Sequence, residues 1–243
     1  MTMVIPMIET LTALLFAHVV ADFVLQTGWM VENKARVTGL AAHGAVVMGA
    51  SALALGGMPL AVLWLTAMHL LTDYAKTRAP LGLMAFAADQ AAHVLAIGAL
   101  ALWQPGLWQA GAWAGWAEAI LPVMAVAGGL GLATRAGGFA IGLLMAPFAA
   151  ASPDGLAQGG RVIGLLERGL IFAMILLGQP EGVGLLIAAK SILRFGAVKD
   201  DRAASEYVII GTLASFGWAM IVAHGTIALT SLLPPLGILP ATP

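Results

Sequence analysis

The chain has 243 residues, 60% of them hydrophobic and 9% charged, with a mean hydropathy of +0.95 and a net charge of −1. Soluble domains carry about 25% charged residues, so this composition excludes an ordinary water-soluble globule and offers no basic surface for nucleic acid. The absence of cysteine excludes disulfides and zinc–thiolate chemistry, so any metal must be held by nitrogen and oxygen.

A membrane span needs about 20 predominantly apolar residues. Such stretches run over approximately 8–26, 39–57, 59–77, 83–102, 118–134, 162–178, 182–196 and 206–232. They predict an all-α, polytopic transmembrane helix bundle of about eight spans. The first stretch lacks a basic leader region and is interrupted by His18, Asp22 and Gln26, so it reads as a retained span rather than a signal peptide. The apolar segment 137–150 is short for a span and reads as re-entrant or strongly tilted. Trp103, Trp108, Trp113 and Trp116 fall between the fourth and fifth spans and read as an interfacial aromatic belt. Three parts follow within one membrane domain: a four-span His/Asp bundle at 1–104, a Trp-rich segment at 105–117, and a C-terminal bundle at 118–243.

Orientation follows from the basic residues. If 137–150 does not cross, Lys34, Arg36, Lys76, Arg78, Arg135, Arg161, Arg194, Lys199 and Arg202 share one side, expected to be the cytoplasm. The expected location is the bacterial cytoplasmic (inner) membrane, with multiple passes and both termini outside.

The first four spans repeat one spacing: His18 with Asp22, His69 with Asp73, and Asp89 with His93, plus a lone His43. Residues four apart share a helix face. With the helices antiparallel, all seven fall in one layer roughly 6–15 Å below the cytoplasmic boundary, at 1.5 Å per residue. A single buried His–Asp pair is more often a hydrogen-bonded packing element than a ligand pair. Three pairs and a histidine at one depth point to a metal site, because ionisable groups are costly in hydrocarbon. Four imidazoles and three carboxylates exceed the needs of one four-coordinate ion and favour one or two divalent ions, Zn, Mn or Fe, with one aspartate able to bridge. Aspartates supporting the histidines of a single ion are the other division. Gln26 and Gln90 lie beside this set as candidate substrate-binding groups, and Lys76 reads as a boundary lysine whose head reaches the interface.

A second polar cluster lies in the C-terminal half. Glu167 with Lys190, or Glu206 with Arg194, would form ion pairs between helices. In a functional reading Arg168, Lys190 and Arg194 hold an anionic group beside the metal, and Glu167 or Glu206 serves as general base. His224 is expected to be structural.

The stretch Ala17-His18-Val19-Val20-Ala21-Asp22-Phe23-Val24-Leu25-Gln26-Thr27 resembles the opening signature of a bacterial membrane family known as domain of unknown function 3307. His43, the run Met68-His69-Leu70-Leu71-Thr72-Asp73-Tyr74-Ala75-Lys76, and Asp89-Gln90-Ala91-Ala92-His93 resemble its remaining motifs. Stretches at 160–168, 188–195 and 206–213 are similar to longer members. The family name implies no reaction. The His/Asp motifs are similar, more distantly, to those of membrane-bound metal-dependent hydrolases, an analogy of ligand pattern.

The leading expectation is therefore a metal-dependent membrane hydrolase using metal-activated water on a lipid-like phosphoester or ester at the cytoplasmic leaflet. Its partners would be membrane lipids and an amphiphilic or anionic small molecule. The alternative is a transporter or channel for a divalent metal ion, protons or an organic anion. A di-iron oxidase and a metal-free structural protein complete the field.

Overall fold

The computed structural model describes residues 4–57, 59–152, 156, 158–198 and 201–235, the side chains of 59 and 193–198 excepted. Among them the secondary structure is entirely helical: α1 (Val4–Val20), α2 (Gly28–Glu32), α3 (Val37–Leu55), α4 (Pro59–Lys76), α5 (Leu83–Trp103), α6 (Ala117–Gly131), α7 (Gly137–Met145), α8 (Gly159–Leu176), α9 (Glu181–Val198) and α10 (Arg202–Thr230). The all-α expectation holds. Five helical stretches are long and apolar enough to cross a membrane: Val4–Leu25, Val37–Leu55, Leu83–Trp103, Ala114–Ala151 and Arg202–Thr230. They mark a membrane protein. Large apolar side chains also point outward on these helices, among them Leu53, Leu95, Leu102 and Ile221, as a lipid-facing surface requires.

The described residues form two compact units, one within 4–131 and 228–235, the other within 132–227. In the first, α1 packs against α3, α5 and α6, α3 against α4, and α4 against α5. The inward face of each helix can be read in steps of three or four residues, the spacing of one helix face. On α1 it runs Leu14, His18, Asp22; on α3 His43, Val47, Ser51, Leu55; on α4 Val62, Leu65, His69, Asp73; on α5 Asp89, His93, Ile97, Leu100. Each face is apolar at one end and carries His or Asp at the other. Antiparallel packing brings the four polar ends together.

The opposite end is closed by the segment after α5. Trp108 is fully buried among Leu14, Leu55, Leu100 and Leu121. Its backbone N–H donates to Thr10 Oγ1 (3.1 Å), whose hydroxyl donates to the Pro105 carbonyl (2.7 Å). This corrects the aromatic-belt reading for one residue of the four. Trp103 and Trp116 are exposed, but Trp108 is a core anchor, because the segment folds back under the helix ends. Two glycines permit that approach. Gly56 caps α3 with φ of 70°, and a Cβ on Gly111 would lie 1.8 Å from the Leu55 carbonyl oxygen.

In the second unit, α8 packs against α7, α9 and the π-helical turn Leu132–Ala136. Segments 118–134 and 137–150, separate in the sequence reading, form one uninterrupted helical run joined by that turn. Gly137 and Gly138 do not break it. They admit close packing instead, since a Cβ on Gly137 would lie 2.7 Å from the Trp218 ring.

Candidate metal centre

The seven predicted His and Asp residues all lie in the first unit, and all are less than a tenth exposed, His43 and Asp73 completely buried. A π-helical turn at Ala21–Leu25 ends α1 and carries Asp22; widened turns of this kind recur at functional sites. The wider turn sets Asp22 off from His18, whose Nδ1 is 3.9 Å from Asp22 Oδ2, and brings Asp22 Oδ1 close to the neighbouring helices.

Two carboxylate oxygens approach one pair of histidine nitrogens from neighbouring helices. His43 Nε2 and His69 Nε2 are 3.0 Å apart. Asp22 Oδ1 lies 3.3 Å from His43 Nε2 and 3.2 Å from His69 Nε2. Asp73 Oδ2 lies 3.3 and 3.5 Å from the same two nitrogens. Tetrahedral coordination with metal–ligand bonds of about 2.0–2.2 Å requires donor–donor edges of roughly 3.3–3.6 Å. The three edges of the His43/His69/Asp73 set, 3.0, 3.3 and 3.5 Å, are near that spacing, as are those from Asp22 Oδ1 to the two histidines, 3.2 and 3.3 Å. With opposite tautomers the two imidazoles share an N–H···N hydrogen bond; with both protons on Nδ1, the two Nε2 atoms and the carboxylate oxygens beside them are all acceptors that a cation would satisfy.

Asp73 also faces a second group. Its Oδ1 is 3.8 Å from His93 Nε2, which lies 3.4 Å from Asp89 Oδ1. Two candidate ligand sets, His43/His69/Asp73 and Asp73/Asp89/His93, therefore share one carboxylate, and His18 with Asp22 and His69 forms a third combination. The rings of His69 and His93 stack at 3.9 Å.

Two cations line this layer. Lys34 Nζ is 2.6 Å from Asp73 Oδ1, without hydrogen-bond alignment. Lys76 donates to Asp89 Oδ2 at 2.5 Å. Lys34 had been legible only as a topogenic charge. Lys76 does more than reach the interface, because its ammonium reaches across to a helix that the sequence does not mark as its partner. Three carboxylates against two lysines leave one negative charge if the histidines are neutral, which either a proton on one of them or a bound cation would offset.

Gln90 links the parts. Its Oε1 is 3.2 Å from His18 Nε2 and its amide donates to Asp89 Oδ2 at 3.0 Å. Gln26 has a buried amide nitrogen with no hydrogen-bond partner, at the residue that ends the π turn. Outer partners of this type orient ligands, and their loss costs 10–100-fold in metal affinity. Gln90→Leu is therefore expected to weaken metal binding by roughly that factor, read by chelator competition. An unchanged affinity would remove Gln90 from the site.

A cavity of about 10 Å³ touches His18, His69, His93 and Ser51 and is otherwise walled by Val47, Leu65, Ala96 and Ile97. It is the size of one water molecule.

The C-terminal candidates lie in the second unit. Glu167 is buried and accepts from Lys190 at 2.8 Å, as expected of that pair. Arg168 is buried and donates to Ser215 Oγ and to the Thr134 carbonyl. Glu206 is exposed and pairs with Arg202 one turn away at 2.9 Å. The Arg194 side chain lies outside the described residues. His224 is exposed and its Nδ1 is 2.9 Å from the Met220 carbonyl, in keeping with a structural role.

Residues 10–116 match the model of a family described as a protein of unknown function, DUF3307, a span that holds all seven His and Asp residues. No curated protein and no solved structure matches the chain.

Proposed function

We propose that this chain, whose residues 10–116 belong to the DUF3307 family of proteins of unknown function, is a multi-pass membrane hydrolase with a two-ion metal centre. The observation that supports it is the division of Asp73 between two donor groups. Oδ2 lies with His43 and His69, and Asp22 Oδ1 approaches the same two nitrogens, so this side would offer an ion up to four donors. Oδ1 faces His93, Asp89 and the Lys34 ammonium; with the lysine turned aside, the three donors are a set of the kind that leaves a position for water. The chemistry an ion supplies in such an open set is acidification of water, to a pKa of about 7.

The chain's own residues do the rest. His18 and Gln90 hold Asp89 from behind. The water-sized cavity beside His69 and His93 provides a place for a nucleophile, and its apolar walls keep bulk water out. Lys34 and Lys76, held at the carboxylates, offer positive charge to an arriving anionic group. The basic residues after α1 and α4 support placing this layer at the cytoplasmic leaflet of the inner membrane. An amphiphilic phosphoester or ester is the substrate class that suits a polar layer shallow in a bilayer. Zn, Mn and Fe all accept these ligands.

A second reading, transport of a divalent ion, is favoured by the lysines themselves. Each can supply a counter-charge to its aspartate when an ion departs.

The test is metal content and hydrolysis together, on detergent-purified protein stripped and reloaded with Zn, Mn or Fe. Wild type should hold two equivalents and cleave a panel of chromogenic amphiphilic esters and phosphodiesters. Asp89→Asn should keep one equivalent and lose cleavage. Absence of stoichiometric metal overturns the centre. Stoichiometric metal without cleavage, but with ion flux into proteoliposomes, selects transport.

A further inference from the structure

The second unit has an opening of its own, unconnected with the argument for the metal. A cavity of about 420 Å³ is lined by Arg161, Glu167, Arg168, Lys190, Tyr207 and Ser215, with glycines and apolar side chains between them. Its volume lies within the usual range of small-molecule sites, about 300–1,000 Å³.

Arg168 is the informative residue. It is 4% exposed, and its guanidinium donates hydrogen bonds to neutral groups, the Ser215 hydroxyl (3.1 Å) and the Thr134 carbonyl (3.0 Å). Its Nε is buried with no partner. The adjacent acid is already engaged, since Glu167 accepts from Lys190 at 2.8 Å. One carboxylate, Glu167, is shared between this guanidinium and the Lys190 ammonium, so a positive charge is left over that an arriving anion would offset.

The space around it is built. A Cβ on Gly164 would lie 2.9 Å from Nη1, and one on Gly138 would lie 3.3 Å from Nη2. Those glycines leave the planar fork room. Charge and shape then select the ligand. Arg161, Arg168 and Lys190 against Glu167 leave two net positive charges on the wall, which matches a dianion. A phosphate monoester has that charge above its second pKa of about 6 and suits an arginine fork. The hydroxyls of Tyr207, Thr212 and Ser215 add donors, and Ile141, Met145, Ile163 and Val208 give an apolar wall for the group esterified to it.

We propose that this cavity binds a phosphate monoester, with Arg168 as its principal anion-binding group. Such a group reaches the cavity either on a lipid or as a small soluble phosphate.

Calorimetric titration of the full chain in neutral detergent tests it, with three probes: inorganic phosphate, dihexanoyl phosphatidic acid and dihexanoyl phosphatidylcholine. Wild type is expected to bind the first or second saturably, at least tenfold tighter than the zwitterionic control. Phosphatidic acid binding well above inorganic phosphate assigns the lipid source; equal affinities assign the soluble one. Arg168→Lys, which keeps charge and loses the fork, should weaken binding at least tenfold. Ser215→Ala, a milder change less prone to disturb folding, should weaken it severalfold. Binding should survive chelation and His69→Ala, which separates this site from the metal centre. No saturable binding of either phosphate, unchanged affinity in both variants, or loss of binding on chelation would overturn the proposal.

Discussion

Asp73→Asn is expected to empty the metal centre while leaving the helices in place. Asparagine keeps the shape of the side chain but removes the charge and replaces one ligand oxygen by an amide. Asp73 alone faces both donor groups, Oδ2 to His43 and His69, Oδ1 towards His93. Bound metal should fall from stoichiometric to less than a tenth. Stability should follow by linkage. An ion present at a hundred times its Kd stabilises the native state by about 2.7 kcal/mol, and the variant forfeits this. It also leaves Lys34 without its aspartate. Breaking a buried pair costs about 3–5 kcal/mol, but the Lys34 side chain is 15% exposed and can turn its head outward, so the smaller end applies. Chelator should therefore lower the melting temperature of wild type and leave that of Asp73→Asn unmoved. A variant that retains stoichiometric metal would remove Asp73 from the site.

Trp108→Ala should be the most damaging single truncation in the first unit. The ring is completely buried at the closed end of the bundle, and removing a large aromatic side chain from a packed core costs about 3–5 kcal/mol. Its backbone bond to Thr10 depends on the same segment staying in place. Trp116, 65% exposed, is the matched control and should change stability by no more than about 0.5 kcal/mol. Denaturant titration of both variants in one detergent decides the point. Equal, small effects would mean that Trp108 does not anchor the segment.

Trp108 also shows where sequence reading stops. Four tryptophans in one polar-flanked stretch have the composition of an interfacial belt, and composition does not reveal that the chain doubles back. Only Gly56 and Gly111 hint at it, through an approach closer than any Cβ permits. The His/Asp layer was legible because helix periodicity converts spacing into a shared face. Its partners were not. Lys34 sits on a connecting segment, and nothing local ties it to Asp73, 39 positions on. Glu167 and Arg168 are adjacent in sequence, but successive helical positions point about 100° apart, so one pairs with α9 and the other with α10 and the π turn. Glu206 found its cation one turn away on its own helix, where meeting costs less ordering than a long-range pair.

The dry core between Trp108 and the histidines has a further meaning. Leu14, Leu55, Leu100 and Leu121 are completely buried, so within the first unit an ion or a water molecule reaching His69 meets an apolar plug beyond it. The proposed metal site is closed on that side, and passage of an ion through this unit would require the leucine layer to part.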